Sequence, residues 1–329
     1  MKKIYHNLII LGIVAVLASC RKEPCQKCLE AQNRLMADGL EANATLVIDV
    51  YGLPLSVTRT ETERGISLLD LAVYDASGAL EWSSHIDNPT NARQTATGLE
   101  AGKKTVCAVA NLPTGCFPQT LEEFETFASV LSDNGEGFVM TGSGKGEASP
   151  NPEPVPVKLS RLAAKVSLEG YIVTNWTEKT PASFDITDIY LANVSAESSL
   201  AFASSDPSVN LRSKVELVED EVTRALTVAP KENWTPGDLF NGGVNFYCYP
   251  NASESRTCVM IKALYDGRVC YYPLVIEREI INNTWYRIGN VTITCEGVEN
   301  PWEDFTHLKT SFEISISGWD YNEYPEISF

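Results

Sequence analysis

The chain is poor in the residues that most chemistry needs. It has 3 histidines in 329 residues, and one of them, His6, stands in the N-terminal apolar leader, leaving His85 and His307. No GxSxG, HExxH or EF-hand pattern occurs, so nucleophile-elbow hydrolysis, zincin chemistry and EF-hand calcium binding have no motif to rest on. A function must rest on a site rather than on a fold. The expectation is therefore a non-enzyme without metal or cofactor. Basic residues are scarce as well: 26 Lys+Arg stand against 43 Asp+Glu, a net charge of −17. So acidic a chain excludes nucleic acid as a partner, because phosphate backbones demand a basic surface. The charge favours a well-solvated exterior, and the acidic run Glu219-Asp220-Glu221 reads as a solvated turn rather than a metal site. No apolar run beyond the leader is long enough to cross a bilayer as a helix.

The leader itself is informative. Lys2 and Lys3 precede the apolar stretch Leu8 to Leu17, which is short for a membrane span and typical of a signal segment. It runs into Leu17-Ala18-Ser19-Cys20, which resembles the lipobox of bacterial lipoproteins. That resemblance implies removal of residues 1–19 and acylation of Cys20 (palmitate on the thiol, a second acyl group on the new amine). The mature chain is then expected to be exported and anchored to a membrane by lipid, not embedded in it. Residues 20–42 are polar without a consistent period and read as a tether. The remaining length is enough for two domains, each with its own core.

Nine cysteines need an account. Cys20 is the lipid site. Cys25 and Cys28 form a CxxC inside the tether, with no preceding strand and no second CxxC, so redox and zinc readings are weak. Cys107, Cys116, Cys248, Cys258, Cys270 and Cys295 fall mostly in strand-like stretches and read as buried thiols. One disulfide is excluded by register. Asp266-Gly267 is a type I′ hairpin signal. It sets Tyr265 opposite Arg268 and Ala263 opposite Cys270, which puts Cys258 and Cys270 on opposite faces.

Most of the chain alternates with period two. Strands are expected at 66–74, 79–83, 103–111 and 138–141, then at 159–168, 186–194, 215–217, 224–228, 244–249, 257–265, 268–276, 285–295 and 310–317. In the 159–168 strand, Leu162, Ala164, Val166 and Leu168 form one face and Arg161, Lys165 and Ser167 the other. One helix is expected over Thr120 to Leu131. Thr120 and Glu123 offer a capping box, and Leu121, Phe124, Phe127 and Leu131 share a face. Many short strands with a single helix make an all-β class of the sandwich type. Gly142-Ser-Gly-Lys-Gly146 lacks the spacing of a phosphate loop, since Val139 stands where the first glycine belongs and Gly146 follows the lysine; it reads as a surface loop. Ser149 to Pro156 (SPNPEPVP) reads as a stiff linker. The expected organisation is a first β-domain over 43–156 and a second over 157–329.

One stretch organises the rest. In Asn43 to Arg59, Leu46, Ile48 and Val50 alternate with Thr45, Val47 and Asp49, and a charged segment with Arg59 and Arg64 follows before the next strand at Ile66. A first strand joined to the chain by a basic, protease-accessible segment is a strand that a cut would release. Near the other end, Phe312, Ile314 and Ile316 repeat the same two-residue spacing, with Trp319, Tyr321, Ile327 and Phe329 beyond them. Such a strand matches the first side chain for side chain, so it is a candidate replacement by β-augmentation. The six tryptophans (Trp82, Trp176, Trp234, Trp285, Trp302 and Trp319) read either as sandwich-core residues or as a sugar-stacking platform.

With these features assembled, the chain resembles the FimA-type fimbrillins, fimbrial subunits of Bacteroidetes. Cys20 matches the acylated cysteine, the strand after Asn43-Ala-Thr matches the family's first strand, and Arg59 stands at its maturation arginine, with Arg64 as an alternative. Leu71-Ala-Val-Tyr-Asp, Ala108-Val-Ala-Asn111 and Met140-Thr-Gly142 resemble first-domain signatures. Leu159-Ser-Arg-Leu-Ala-Ala-Lys-Val166, Tyr271-Tyr-Pro-Leu and Asn283-Thr-Trp-Tyr-Arg-Ile-Gly-Asn-Val-Thr-Ile resemble second-domain ones. The resemblance implies two transthyretin-like (Greek-key) sandwiches with one short helix in the first. It implies an outer-membrane lipoprotein precursor, cleavage by an arginine-specific protease and polymerisation by donor-strand exchange at the cell surface. The implied partners are copies of the chain or related subunits, that protease, and host or bacterial surface receptors. A fimbrial anchor or tip adhesin that keeps its lipid and first strand is the alternative, and a surface glycan-binding lipoprotein is another.

Overall fold

Alternating sequence becomes alternating burial. The structure, a computed structural model, describes residues 44–51, 65–113, 118–135, 137–195, 197–201, 244–254, 256–300 and 311–319. Its first half carries β1 (Ala44–Tyr51), β2 (Leu68–Tyr74), β3 (Leu80–Asp87), β4 (Arg93–Leu99) and β5 (Gly102–Ala110). Then come the helix α1 (Leu121–Thr126), β6 (Ala128–Val130), a 3-10 turn (Leu131–Gly135), β7 (Met140–Ala148), β8 (Val155–Lys158) and β9 (Ser160–Arg161). The second half carries β10 (Ala164–Leu168), β11 (Ile172–Thr174), β12 (Phe184–Ala192), β13 (Glu197–Ser199) and β14 (Val244–Cys248). It ends with β15 (Cys258–Tyr265), β16 (Arg268–Val275), β17 (Thr284–Ile293) and β18 (Ser311–Gly318). The expected strands at 215–217 and 224–228 lie outside the described residues.

Two sandwiches result. In the first, the sheet β4-β1-β8 faces the sheet β3-β2-β5-β7-β9 over one apolar core. In the second, β11-β17-β10-β14, with β18 added to β17, faces β12-β15-β16 over another. The hairpin at Asp266-Gly267 has both residues at positive φ, 50° and 80°, as its turn type requires. Its register pairs Tyr265 with Arg268 and Ala263 with Cys270. Cys270 faces the second core, and Cys258 lies on the opposite face with Met260 and Tyr190. Cys107, Cys248, Cys258, Cys270 and Cys295 are free thiols, and burial pushes those of Cys107, Cys248 and Cys258 up to about 12.

Four expectations shift. The glycines of 142–146 are not a surface loop but part of β7, inside the first sandwich. Alternate glycines face β8, where an added Cβ would sit 2.3 Å from Lys158 O at Gly142 and 2.6 Å from Pro156 O at Gly144. Only a strand without side chains on that face lets β8 cross so closely. The proline stretch is correspondingly bound rather than free. Ser149 bridges to Thr45, and Val155–Lys158 pairs in parallel with β1 at the sheet edge, where a proline is tolerated. The change of core comes later than the expected start at Val157. Val157, Leu159, Leu162 and Ala163 belong to the first core, and Ala164, Val166 and Leu168 to the second. Finally, the helix stops at Thr126. Thr120 Oγ1 accepts from the Glu123 N–H at 3.1 Å, and the Glu123 carboxylate accepts from the Gln119 N–H at 2.9 Å. Beyond the helix, residues 128–130 leave it to pair with β13.

Candidate functional site: the first strand, the last strand and the domain junction

β1 is a central strand. It pairs antiparallel with β4, from Ala44 opposite Leu99 to Asp49 opposite Arg93, and parallel with β8, from Ile48 opposite Val155 to Tyr51 opposite Lys158. Leu46 and Ile48 are 0% exposed and Val50 is 2% exposed. These are the residues expected on its inward face, and they lie together in the first core. On the outer face, Arg93 grips Asp49 with Nε at 2.6 Å and Nη2 at 2.7 Å. Those hydrogen bonds hold the Asp49 carboxyl below its usual range.

β18 is an edge strand. Among the described residues it pairs with β17 alone, antiparallel, from Thr284 opposite Gly318 to Thr292 opposite Ser311, with an irregularity between Ile288 and Val291. Phe312, Ile314 and Ile316 are partly buried against the second core of their own chain. The two strands proposed to be interchangeable thus sit in different sandwiches. Arg59, Arg64 and Cys20 lie outside the described residues, as do Cys25, Cys28, Cys116, His307, Trp234, Trp302, Glu219 to Glu221, Tyr321, Ile327 and Phe329.

Between the sandwiches lies a junction that the alternating pattern does not reveal. Arg161, Lys165 and Ser167, the polar face of the 159–168 stretch, are all buried. The Arg161 guanidinium lies 4.5 Å over the Trp319 ring, and Lys165 Nζ lies 4.6 Å over Trp285. Arg161 donates to Asn283 Oδ1 and to the Trp319 carbonyl, and the Trp285 indole N–H donates to Ser167 Oγ. These contacts give the Leu159–Val166 and Asn283–Ile293 motifs a shared physical role, since β10 pairs in parallel with β17 along the same residues. Trp319, placed by sequence among possible extensions of the donor strand, sits instead in the first core. A second bridge joins Tyr249 to the first domain: its hydroxyl meets Ser129 Oγ at 2.8 Å, accepts from Asn134 Nδ2 at 2.8 Å and donates to Val130 O. The signal that sequence reading missed was two cations, four residues apart, in a largely apolar stretch of a chain with aromatics near its end.

Other polar groups have structural employment. Asn111, in the left-handed region at φ 60°, accepts from the Ser67 N–H and donates to Gly65 O and Phe138 O, tying three chain segments. His85 Nδ1 meets the buried Asp70 Oδ1 at 2.6 Å, and burial raises the Asp70 carboxyl. A surface cleft of about 1010 Å³ between the Asp75–Gly78 turn, β5, α1 and β7 mixes Lys103, Lys104 and Lys145 with Glu122, Glu125 and Glu147. Asp75 in that cleft is committed to its turn, accepting from the Ser77 and Ala79 N–H groups. Among the described residues no three His, Cys, Asp or Glu side chains gather to hold a metal, and no helix is long and apolar enough to cross a membrane. Trp82 and Trp285, partly buried, pack on the first core and Trp176 on the second.

No family model matches the chain, and no curated protein does. Solved structures do. A candidate cell adhesion protein from Parabacteroides distasonis superposes with a TM-score of 0.59 at 17% identity, covering 87% of this chain and 99% of that one. Another, from Bacteroides eggerthii, gives 0.60 at 20% identity over 84% and 96%. A fimbrilin (FimA) from Porphyromonas gingivalis gives 0.60 at 17% identity over 84% and 98%. The likeness extends over most of this chain and nearly the whole of each of those: the chain has the fold of the FimA-type fimbrillins.

Proposed function

We propose that the chain is a structural subunit of a cell-surface fimbrium. It is made as an outer-membrane lipoprotein acylated at Cys20, cut by an arginine-specific protease after Arg59, and polymerised by donor-strand exchange. The observation that carries the reading is the position of β1. It is the middle strand of its sheet and fills the first core with Leu46, Ile48 and Val50, and the segment that joins it to the rest of the chain holds Arg59 and Arg64. One cut there separates β1 covalently from everything it packs on. Its loss leaves β4 and β8 as unpaired edges around an apolar groove, an adhesive state that a strand from another copy relieves. β18 is the donor, with Phe312, Ile314 and Ile316 replacing the lost side chains.

The test is the Arg59→Ala protein, expressed on cells and in purified form, read by N-terminal sequencing and electron microscopy. Wild-type filaments should begin after Arg59, and the variant should stay monomeric. Filaments of the variant with no cut at Arg64 either would overturn strand exchange. Wild-type protein that retains both the Cys20 lipid and residues 43–59 at the cell surface would assign the anchor role instead.

A further inference from the structure

β18 is followed by a residue that does not belong to its own sandwich. Gly318 is the last residue of the strand, and the next side chain, Trp319, is 2% exposed within the first core. Phe138 meets its ring edge-on at 4.9 Å between centroids, and Tyr247 stacks on it at 5.7 Å with an interplanar angle of 18°. Its backbone is held too: the Trp319 N–H donates to Asn283 O at 2.9 Å, and its carbonyl accepts from Arg161 Nη1 at 2.9 Å. An edge strand with a single ladder frays readily. Here the free end is fastened by an indole inserted across the domain boundary.

The seat is nevertheless imperfect. Trp319 Nε1 is buried and has no acceptor among the described residues. A buried donor without a partner opposes the apolar gain of the ring around it. Withdrawal returns that N–H to water, so the seat is held by packing but less tightly than one with every polar group satisfied. We infer that Trp319 is a catch: it keeps the C-terminal strand on its own chain, and pulling it from the first core is the step that frees β18 for another copy. The second half of this inference rests on the strand-exchange reading above; the first half does not.

The experiment has two arms. In the first, hydrogen–deuterium exchange by mass spectrometry is run on the uncut full chain, which needs no assembly. Trp319→Ala should speed exchange across Ser311–Gly318 by about tenfold or more, with the β15–β16 hairpin unchanged. Phe138→Leu, which keeps the indole but removes its edge contact, should do the same to a smaller degree. It decides the matter if Trp319→Ala loses protection everywhere. Unchanged exchange at β18 in both variants overturns the catch. In the second arm, wild type and Trp319→Ala are cut after Arg59 and their assembly is followed by light scattering. The variant should assemble sooner. Faster exchange with unchanged assembly would reduce Trp319 to a clamp and overturn its part in release. Should Arg59→Ala assemble as well as wild type, strand exchange fails on its own while the exchange result at β18 still stands.

Discussion

β1 and β18 are alike in pattern and opposite in circumstance. Both are eight residues long and put three branched or aromatic side chains on alternate positions, Leu46, Ile48 and Val50 in one and Phe312, Ile314 and Ile316 in the other. β1 has a neighbour on each side and an inward face sealed from water. β18 has one neighbour among the described residues, and its inward face is only partly covered. Alternation therefore sets which face is apolar, while topology sets how deeply that face is buried. On the proposed assembly the difference has a direction. A strand that moves from an edge into a vacated centre completes the burial of three side chains, on the order of 1 kcal/mol. It also gains a second ladder, at ~0.5–1.5 kcal/mol for each net hydrogen bond. The same asymmetry makes the reverse exchange unfavourable.

The largest expected effect tests that contrast directly. Ile48→Ala should destabilise the first sandwich by about 2–5 kcal/mol, as for a fully enclosed aliphatic side chain. Ile314→Ala should cost the second sandwich about 1–2 kcal/mol, because part of its surface is already wet. Urea denaturation of both full-length variants checks the pair, and equal costs would break the distinction between centre and edge. A smaller effect is expected when β1 keeps its own residues and loses its second neighbour. Gly144→Ala drives a methyl to 2.6 Å from the Pro156 carbonyl, so β8 must move away from β7. The cost should be about 1–3 kcal/mol, and exchange should quicken at Val50 and Leu159, whose amides bond to Ala92 O and Tyr51 O. Faster exchange at Leu159 alone would show that β4 suffices to hold β1.

Both strands were legible in the sequence because a two-residue period needs no knowledge of neighbours. The 266–267 hairpin was legible because turn chemistry is local. What escaped was decided by distant segments. Gly142, Gly144 and Gly146 carry no side chain to show a period, and their strand is recognisable only once β8 is seen lying on it. The helix was read too long because Phe127 and Leu131 continue its apolar face, yet β13, nearly seventy residues on, draws 128–130 into a ladder. Arg161 and Lys165 alternate correctly but face Trp319 and Trp285 rather than water. No local rule distinguishes an outer face from one capped by aromatics more than a hundred residues away. β1 and β18 divide differently: their inward side chains and the sandwich each belongs to followed from the pattern and the domain organisation, whereas the depth of their burial did not.

The smallest effect concerns the outer face of β1, where Asp49 and Arg93 lie directly opposite across the ladder. β18 carries Glu313 at an exposed position of its outer face, next to the irregular stretch of β17 where no residue is registered opposite it. The Asp49–Arg93 pair therefore adds to the asymmetry. Hydrogen bonding to Arg93 places the Asp49 carboxyl below 3.8 in the folded chain. A carboxylate with a depressed folded value contributes stability that is present above the unfolded value, near 3.8, and is lost as pH falls through the folded one. Both side chains are substantially exposed, so the contribution is small and screened by salt. Asp49→Asn should speed exchange of the β1 amides slightly at pH 7 and low salt. Once intrinsic exchange rates are divided out, wild type and variant should converge below the folded value of Asp49, and also at about 1 M salt. A difference that persists unchanged under both conditions would mean that the pair acts by shape rather than charge. The ionic part of the contrast between β1 and β18 would then have to be withdrawn.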